Sequence, residues 1–284
     1  MTMEIDELIK GNEQLASLPE IYYQLNEAIH DPDCTFDDIG EIISIDTSLT
    51  LRILKIVNSA FYGFSSQVET VSHALTIIGT DQLTQLVLAS SVMSRFKGIP
   101  EELINMEKFW QHSLACGLAS RALATLSGEY NVERFFVAGL LHDVGRLVMC
   151  VKIPEQTAEL MTRVRDTEQS LYEAEQKTLG FDHAELGGRL LKSWFLPERL
   201  EEAVASHHEP HKAANFPEEA AIVNLGNSIA HAMEIGDSGE VVASPLNPKS
   251  WEAIGLPESL YLAMVKDKVE QQFADVAKVF FQQA

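Results

Sequence analysis

Fifteen residues from Phe135 to Met149, FFVAGLLHDVGRLVM, form an apolar run at helical spacing that carries His142 and Asp143 side by side. Neighbouring positions on a helix lie about 100° apart, so an imidazole and a carboxylate at i and i+1 can straddle one ion but cannot face opposite ways. Ala138, Leu140, Leu141, Val144, Leu147 and Val148 leave no wide polar face, so at least one of the pair points into protein. A buried carboxylate is costly unless it is paired or coordinating. The rest of the chain is organised around covering this run and satisfying that pair. A hydrogen-bonded core pair would meet the requirement, and so would a metal-ligand pair.

The flanking sequence reads as helix after helix with short connectors. Ser17-Leu18-Pro19-Glu20 and Ser170-Leu171-Tyr172-Glu173 are capping boxes by pattern, and Thr35-Phe36-Asp37-Asp38 opens a helix in the same way. Asp46 or Thr47 caps a helix whose apolar stripe is Leu49, Ile53, Ile56 and Val57. Gly79 closes the segment from Val71, and an apolar helix follows from Asp81 to Phe96. Further helices are predicted over 105–126, over 182–194 with His183 near the start, from Pro197 to the Ser206-His207-His208-Glu209-Pro210 run, and from Pro217 through Asn224 and Asn227. Strand-like alternation is absent. The fold class is therefore all-α, with the loop from Phe96 to Glu102 dividing residues 1–100, an N-terminal helical subdomain, from residues 101–284. A loop over 236–248 leads to a final helical region.

Composition narrows the function. A chain of 284 residues with 46% hydrophobic content can bury one large or two modest cores. Its apolar runs fall far short of about 18 residues, and Met1 to Lys10 has no basic leader pattern, so a soluble, unsecreted, cytoplasmic protein is expected. Cys34, Cys116 and Cys150 are widely spaced and odd in number, and read as reduced structural residues. The net charge is −21, and residues 1–50 hold twelve acidic residues against one Lys. Such a field disfavours nucleic acid and anionic membrane as partners and reads first as a solvated surface.

Five of the nine histidines fall into an ordered set: His112, then His142-Asp143, then His183, then His207-His208. Each lies on a different helix or helix end, and a bundle that points such ligands inward can build a metal cluster. Imidazole with carboxylate suits iron, zinc, manganese or nickel without choosing among them. The remaining histidines read otherwise, His211 with Glu209 as exposed, and His30, His73 and His231 as packing or surface residues.

The order of these residues resembles the HD superfamily of metal-dependent phosphohydrolases, and within it the HD-GYP branch. His142-Asp143-Val144-Gly145-Arg146 is similar to HDxGK, and His207-His208 to the paired histidines. The late Asp of that pattern falls on Asn227, a neutral and weaker ligand, and the Lys falls on Arg146, which keeps a positive charge able to hold a phosphate. No GYP signature follows Pro210, so cyclic-dinucleotide hydrolysis has no support. The N-terminal part resembles the HDOD domain through Leu18-Pro19, Asp46-Thr47-Ser48-Leu49, Asn58-Ser59-Ala60-Phe61-Tyr62-Gly63 and Ile78-Gly79, across Leu15 to His231. Asn58 reads as a helix cap, and Phe61 with Tyr62 as a clamp between the two parts.

That resemblance implies a multi-helix HD-like bundle and a bacterial signalling protein that acts through contacts with a protein partner. Its metal site would be degenerate, drawing on His112, His142, Asp143, His183, His207, His208 and Asn227. The alternative is a phosphohydrolase acting on a phosphate ester or nucleotide at divalent ions. The same histidines could instead persist as hydrogen-bonded core residues, homodimerisation stays open, and no receiver, cyclase or helix-turn-helix pattern names the input or output partner.

Overall fold

Caps that can be read along the chain set most of the helix starts in the computed structural model, which describes residues 4–10, 17–96, 98–167, 169–240 and 246–281. The N-terminal part comprises α1 (Ile5–Ile9), α2 (Glu20–His30), α3 (Phe36–Ser44), α4 (Thr47–Val57), α5 (Val71–Ile78) and α6 (Thr80–Arg95). After the next loop come α7 (Met106–Leu126), α8 (Glu133–Leu141), α9 (Val144–Lys152), α10 (Pro154–Thr167), α11 (Leu171–Leu179), α12 (His183–Ser193) and α13 (Glu198–Ala205). A single 3₁₀ turn (Pro210–Lys212) leads to α14 (Pro217–Ala232), α15 (Pro248–Ala253) and α16 (Glu258–Phe281). No strand occurs among the described residues, and the fold is all-α. Parts of three sequence features lie outside the described residues: 1–3 of the N-terminal stretch with Leu15, Lys97 of the 96–102 loop, and 241–245 of the 236–248 loop.

Thr35 and Asp38 form the reciprocal capping box of α3, and Asp46 Oδ1 accepts from Leu49 N–H at 3.0 Å to start α4. Asn105 and Asp182 cap α7 and α12 in the same manner. Two predicted boxes do not form. Pro19 occupies the N-cap of α2 with no side-chain hydrogen bond, and Ser170 stands at the N-cap of α11 without one. The spacing is present in both, but the backbone carries the entry instead.

The largest departure is at the centre. The run from Phe135 to Met149 is two helices, α8 and α9, separated at His142 and Asp143, where Asp143 adopts φ −99°, ψ 10°. Gly145 sits so close to α12 that a Cβ there would lie 2.0 Å from the carbonyl oxygen of His183. That approach directs α9 along α12, so the axis turns at the HD pair.

α7 is the hub of the C-terminal part and packs against α8, α14 and α16, with α8 also reaching α6. One apolar cluster runs through both sides of the 96–105 loop, from Ile39, Ile53 and Val87 to Leu118, Phe136 and Val269. The Asn58–Gly63 turn joins them. Asn58 Nδ2 donates to Leu54 O and to Val68 O at 2.8 Å each, while its Oδ1 accepts from Val68 N–H at 2.8 Å. Phe61, 2% exposed, meets Phe136 edge-on at 4.9 Å, lies under the Arg121 guanidinium at 4.1 Å, and has its carbonyl held by Arg121 Nη1 at 3.1 Å.

Candidate metal centre

The break between α8 and α9 lets both members of the HD pair face one interior space. His142 Nδ1 donates to Gly139 O at 2.7 Å, back along α8, which leaves Nε2 carrying the lone pair. His207, just past the end of α13, is held the same way by Val204 O at 2.8 Å, and Asn224 Nδ2 donates to its backbone carbonyl at 2.8 Å. Both free Nε2 atoms look toward Asp143: His142 Nε2 is 3.3 Å from Oδ2 and His207 Nε2 is 3.8 Å from Oδ1. Neither approach has hydrogen-bond geometry, and these two nitrogens with both Asp143 oxygens are buried polar atoms lacking any hydrogen-bond partner.

His183 opens α12 at the other side of Asp143, its Nε2 3.2 Å from Oδ1. Its Nδ1 is 2.5 Å from Glu175 Oε2, which also accepts the His183 backbone N–H at 2.9 Å. Its Nε2 is 2.8 Å from Nε2 of His208, whose ring stacks on Tyr172 at 4.6 Å. On α7, His112 Nε2 lies 2.9 Å from Oδ1 of Asn227, and its ring is 5.5 Å from that of His142. All seven predicted ligand residues therefore meet in one interior cluster. Their donor atoms fall into two close groups, His112–His142–Asp143 and His183–His207–His208, each within 4.8 Å.

Three participants were not read as part of the site. Glu175 orients His183. Glu240, on the loop after α14, lies 2.8 Å from Arg146 Nη2 through Oε1 and 3.2 Å from His231 Nε2 through Oε2. His231, read as a packing or surface residue, has its ring 4.4 Å from that of His112, tilted by 48°, and belongs to the rim of the cluster. Two of these had a signal: His231 follows Asn227 by one helical turn, and Glu175 is a charge on the buried stripe that includes Leu171 and Ala174. Glu240 sits in a loop with no periodicity and had none.

Arg146 is buried to 1% exposure with both terminal nitrogens engaged: Nη1 donates to Ser238 O and lies 3.5 Å from Asp143 Oδ2, while Nη2 reaches Glu240 and His183. The expected phosphate-holding charge is thus neutralised inside the protein. The Glu240 loop is pinned where Gly236 (φ 71°) packs on α7, a Cβ there falling 2.3 Å from Lys108 O and His112 N.

Electrostatics follow the contacts. Burial opposes the charge on Asp143, but Arg146 and His142 outweigh it and hold the carboxyl well below its usual range. Burial and Arg146 oppose protonation of His183, yet Glu175 and Asp143 raise it to about 9. Burial, with His231 and His142 nearby, pushes His112 down to about 3, and burial with His183 does the same to His208. An imidazole held in place beside a charged carboxylate suits a cation, and each of His142, His183 and His207 is oriented through its other nitrogen by a carbonyl or carboxylate. The unpaired atoms of His142, Asp143 and His207 fit a divalent metal ion.

Comparison with known proteins agrees with this architecture. A family model described as HDOD domain matches residues 15–210. An HDOD domain protein of unknown function from Geobacter sulfurreducens superposes with a TM-score of 0.82 at 24% identity, covering 98% of this chain and 97% of that one. A Shewanella amazonensis protein, described provisionally as a phosphohydrolase, gives 0.74 at 23% identity, over 97% of this chain and 96% of its own. An uncharacterized protein of Treponema pallidum is 26% identical over 219 residues, 76% of this chain but 42% of its own length, so the chain spans less than half of that relative.

Proposed function

The chain belongs to the HDOD domain family, and on that footing we propose that it is a bacterial signalling module acting through protein contacts, with its histidine cluster a closed metal centre. What carries the reading is the closure. His142, His183 and His207 are fully buried, Asp143 and Arg146 are 1% exposed, and the Glu240 side chain caps the cluster at 3%. A phosphate ester has to reach the ligands to be hydrolysed, and the fixed cation that lies beside them among the described residues, Arg146, is already committed to Glu240 and Ser238. Asn227 spends its oxygen on His112 and brings no charge.

The ion would be held by His142, Asp143 and His207, with His112, His183, His208 and Asn227 around it. When bound it supplies the positive charge that offsets Asp143 and ties α7, α9, α13 and α14 to one point. Around it the chain's own residues fix tautomers, exclude water and keep the carboxylate ionised. Contact with a protein partner is supported by apolar side chains exposed on the N-terminal helices, among them Ile45 at 78% and Leu51 at 50%.

Turnover assays on metal-loaded protein test the reading against phosphomonoesters, phosphodiesters and nucleotides. No hydrolysis above that of metal-stripped protein is expected. Hydrolysis abolished both by chelation and by His142→Ala would establish the alternative, a metal-dependent phosphohydrolase.

A further inference from the structure

We infer that the cluster takes one divalent ion and that the buried Arg146–Glu240 pair stands in for a second. This rests on the cluster being a metal centre and specifies its occupancy. The two ends of the cluster differ in what they lack. At one end, His142 Nε2, His207 Nε2 and both Asp143 oxygens have no hydrogen-bond partner although each is buried. At the other end the unpartnered atoms, Arg146 Nε and Glu240 Oε2, belong to one ion pair, and no nitrogen of His183 or His208 is among them. His183 Nε2 and His208 Nε2 bond each other at 2.8 Å, and Glu175 holds the far side of His183.

The guanidinium of Arg146 already occupies that second end. Its Nη2 lies 3.2 Å from His183 Nε2 and 2.8 Å from Glu240 Oε1, and its Nη1 lies 3.5 Å from Asp143 Oδ2. A permanent charge therefore touches the histidine and carboxylate that a second ion would need, and like charges a few ångströms apart in a dry interior repel strongly. Charge balance agrees. Among the fixed charges, the carboxylates of Asp143, Glu175 and Glu240 against Arg146 leave two negative charges, which one divalent ion offsets. A second ion would leave two positive charges uncompensated in the interior.

Glu240 makes the arrangement stable. It neutralises Arg146 and also reaches His231 at 3.2 Å and His208 at 3.9 Å, so this loop supplies, from a different place in the chain, a carboxylate that position 227 does not.

The test uses the full chain, stripped of metal and titrated with manganese(II). Calorimetry with elemental analysis reads the stoichiometry, and electron paramagnetic resonance reads whether two ions are coupled. One ion per chain with an uncoupled signal is expected. Two ions, or a spin-coupled signal, would overturn the single-ion inference while leaving the metal centre standing. Failure to bind any ion would instead sink the metal centre itself. Arg146→Met should raise the stoichiometry to two and Arg146→Lys should hold it at one. A well-folded Arg146→Met chain that still takes one ion would show that Arg146 does not exclude the second. The wild-type stoichiometry decides the matter even where that variant fails to fold.

Discussion

Asn227 sets the character of the centre by a single atom. Its Oδ1 accepts from His112 at 2.9 Å, so the position is already at the cluster and needs only a charge to become a stronger ligand. Asn227→Asp should tighten divalent-metal binding on the order of tenfold or more, since each 1.4 kcal/mol of added attraction is worth that factor. Calorimetric titration at fixed pH checks it, and equal affinities would place residue 227 outside the ion's reach. Glu175→Gln should weaken binding through His183 and its neighbour Asp143, by less than the roughly 10- to 100-fold cost of removing the group that orients a direct ligand, with the helical content unchanged. The predicted ligand residues were legible because each is a His, Asp or Asn in an ordered series, and the structure brings all of them together. Glu240 was not, because it arrives from a loop and acts through a contact with Arg146 that spans 94 positions. Arg146 was visible as a residue but misjudged in reach, since only the fold shows both terminal nitrogens of its guanidinium engaged.

At the scale of elements, the break between α8 and α9 is what turns an apolar run into a site. Periodicity over residues 135–149 is continuous, so one helix is the natural reading. The interruption comes from a long-range approach, Gly145 against the His183 carbonyl, that a local pattern cannot encode. Gly145→Ala should destabilise the protein by about 1–3 kcal/mol or more, because the added methyl must push α9 from α12. The same displacement should lower metal affinity, as His183 and Asp143 sit on opposite sides of that contact. Thermal unfolding and a metal titration on one preparation check both, and an unchanged transition would mean that the helices separate without cost. Caps at Thr35, Asp46, Asn105 and Asp182 were readable because they are local. Ser17 and Ser170 carry the same pattern without the bond, which shows that the motif permits a cap but does not compel one.

Across the whole molecule, the apolar cluster passes through the Asn58–Gly63 turn without a gap, so the N- and C-terminal helices should unfold together. Phe61→Ala removes the ring between Arg121 and Phe136 and should cost about 3–5 kcal/mol. Trp110, Trp194 and Trp251 all lie in the C-terminal part, so their fluorescence and the far-ultraviolet circular dichroism should give coincident denaturant transitions in the wild type. Transitions that separate would show two independent cores. The no-sheet, many-helix architecture was readable throughout, and the joining of the two parts was read as a clamp of Phe61 with Tyr62, whose contacts with Phe136 and Arg121 only the fold supplies. Above this framework the central claim is a closed, nitrogen-rich metal centre. Its most direct test is X-ray absorption at the edge of whatever metal the purified protein carries. The account predicts a light-atom shell with the outer scattering of several imidazoles, reduced in His142→Ala. A metal-free protein, or a shell of oxygen ligands alone that is unchanged in that variant, would contradict it.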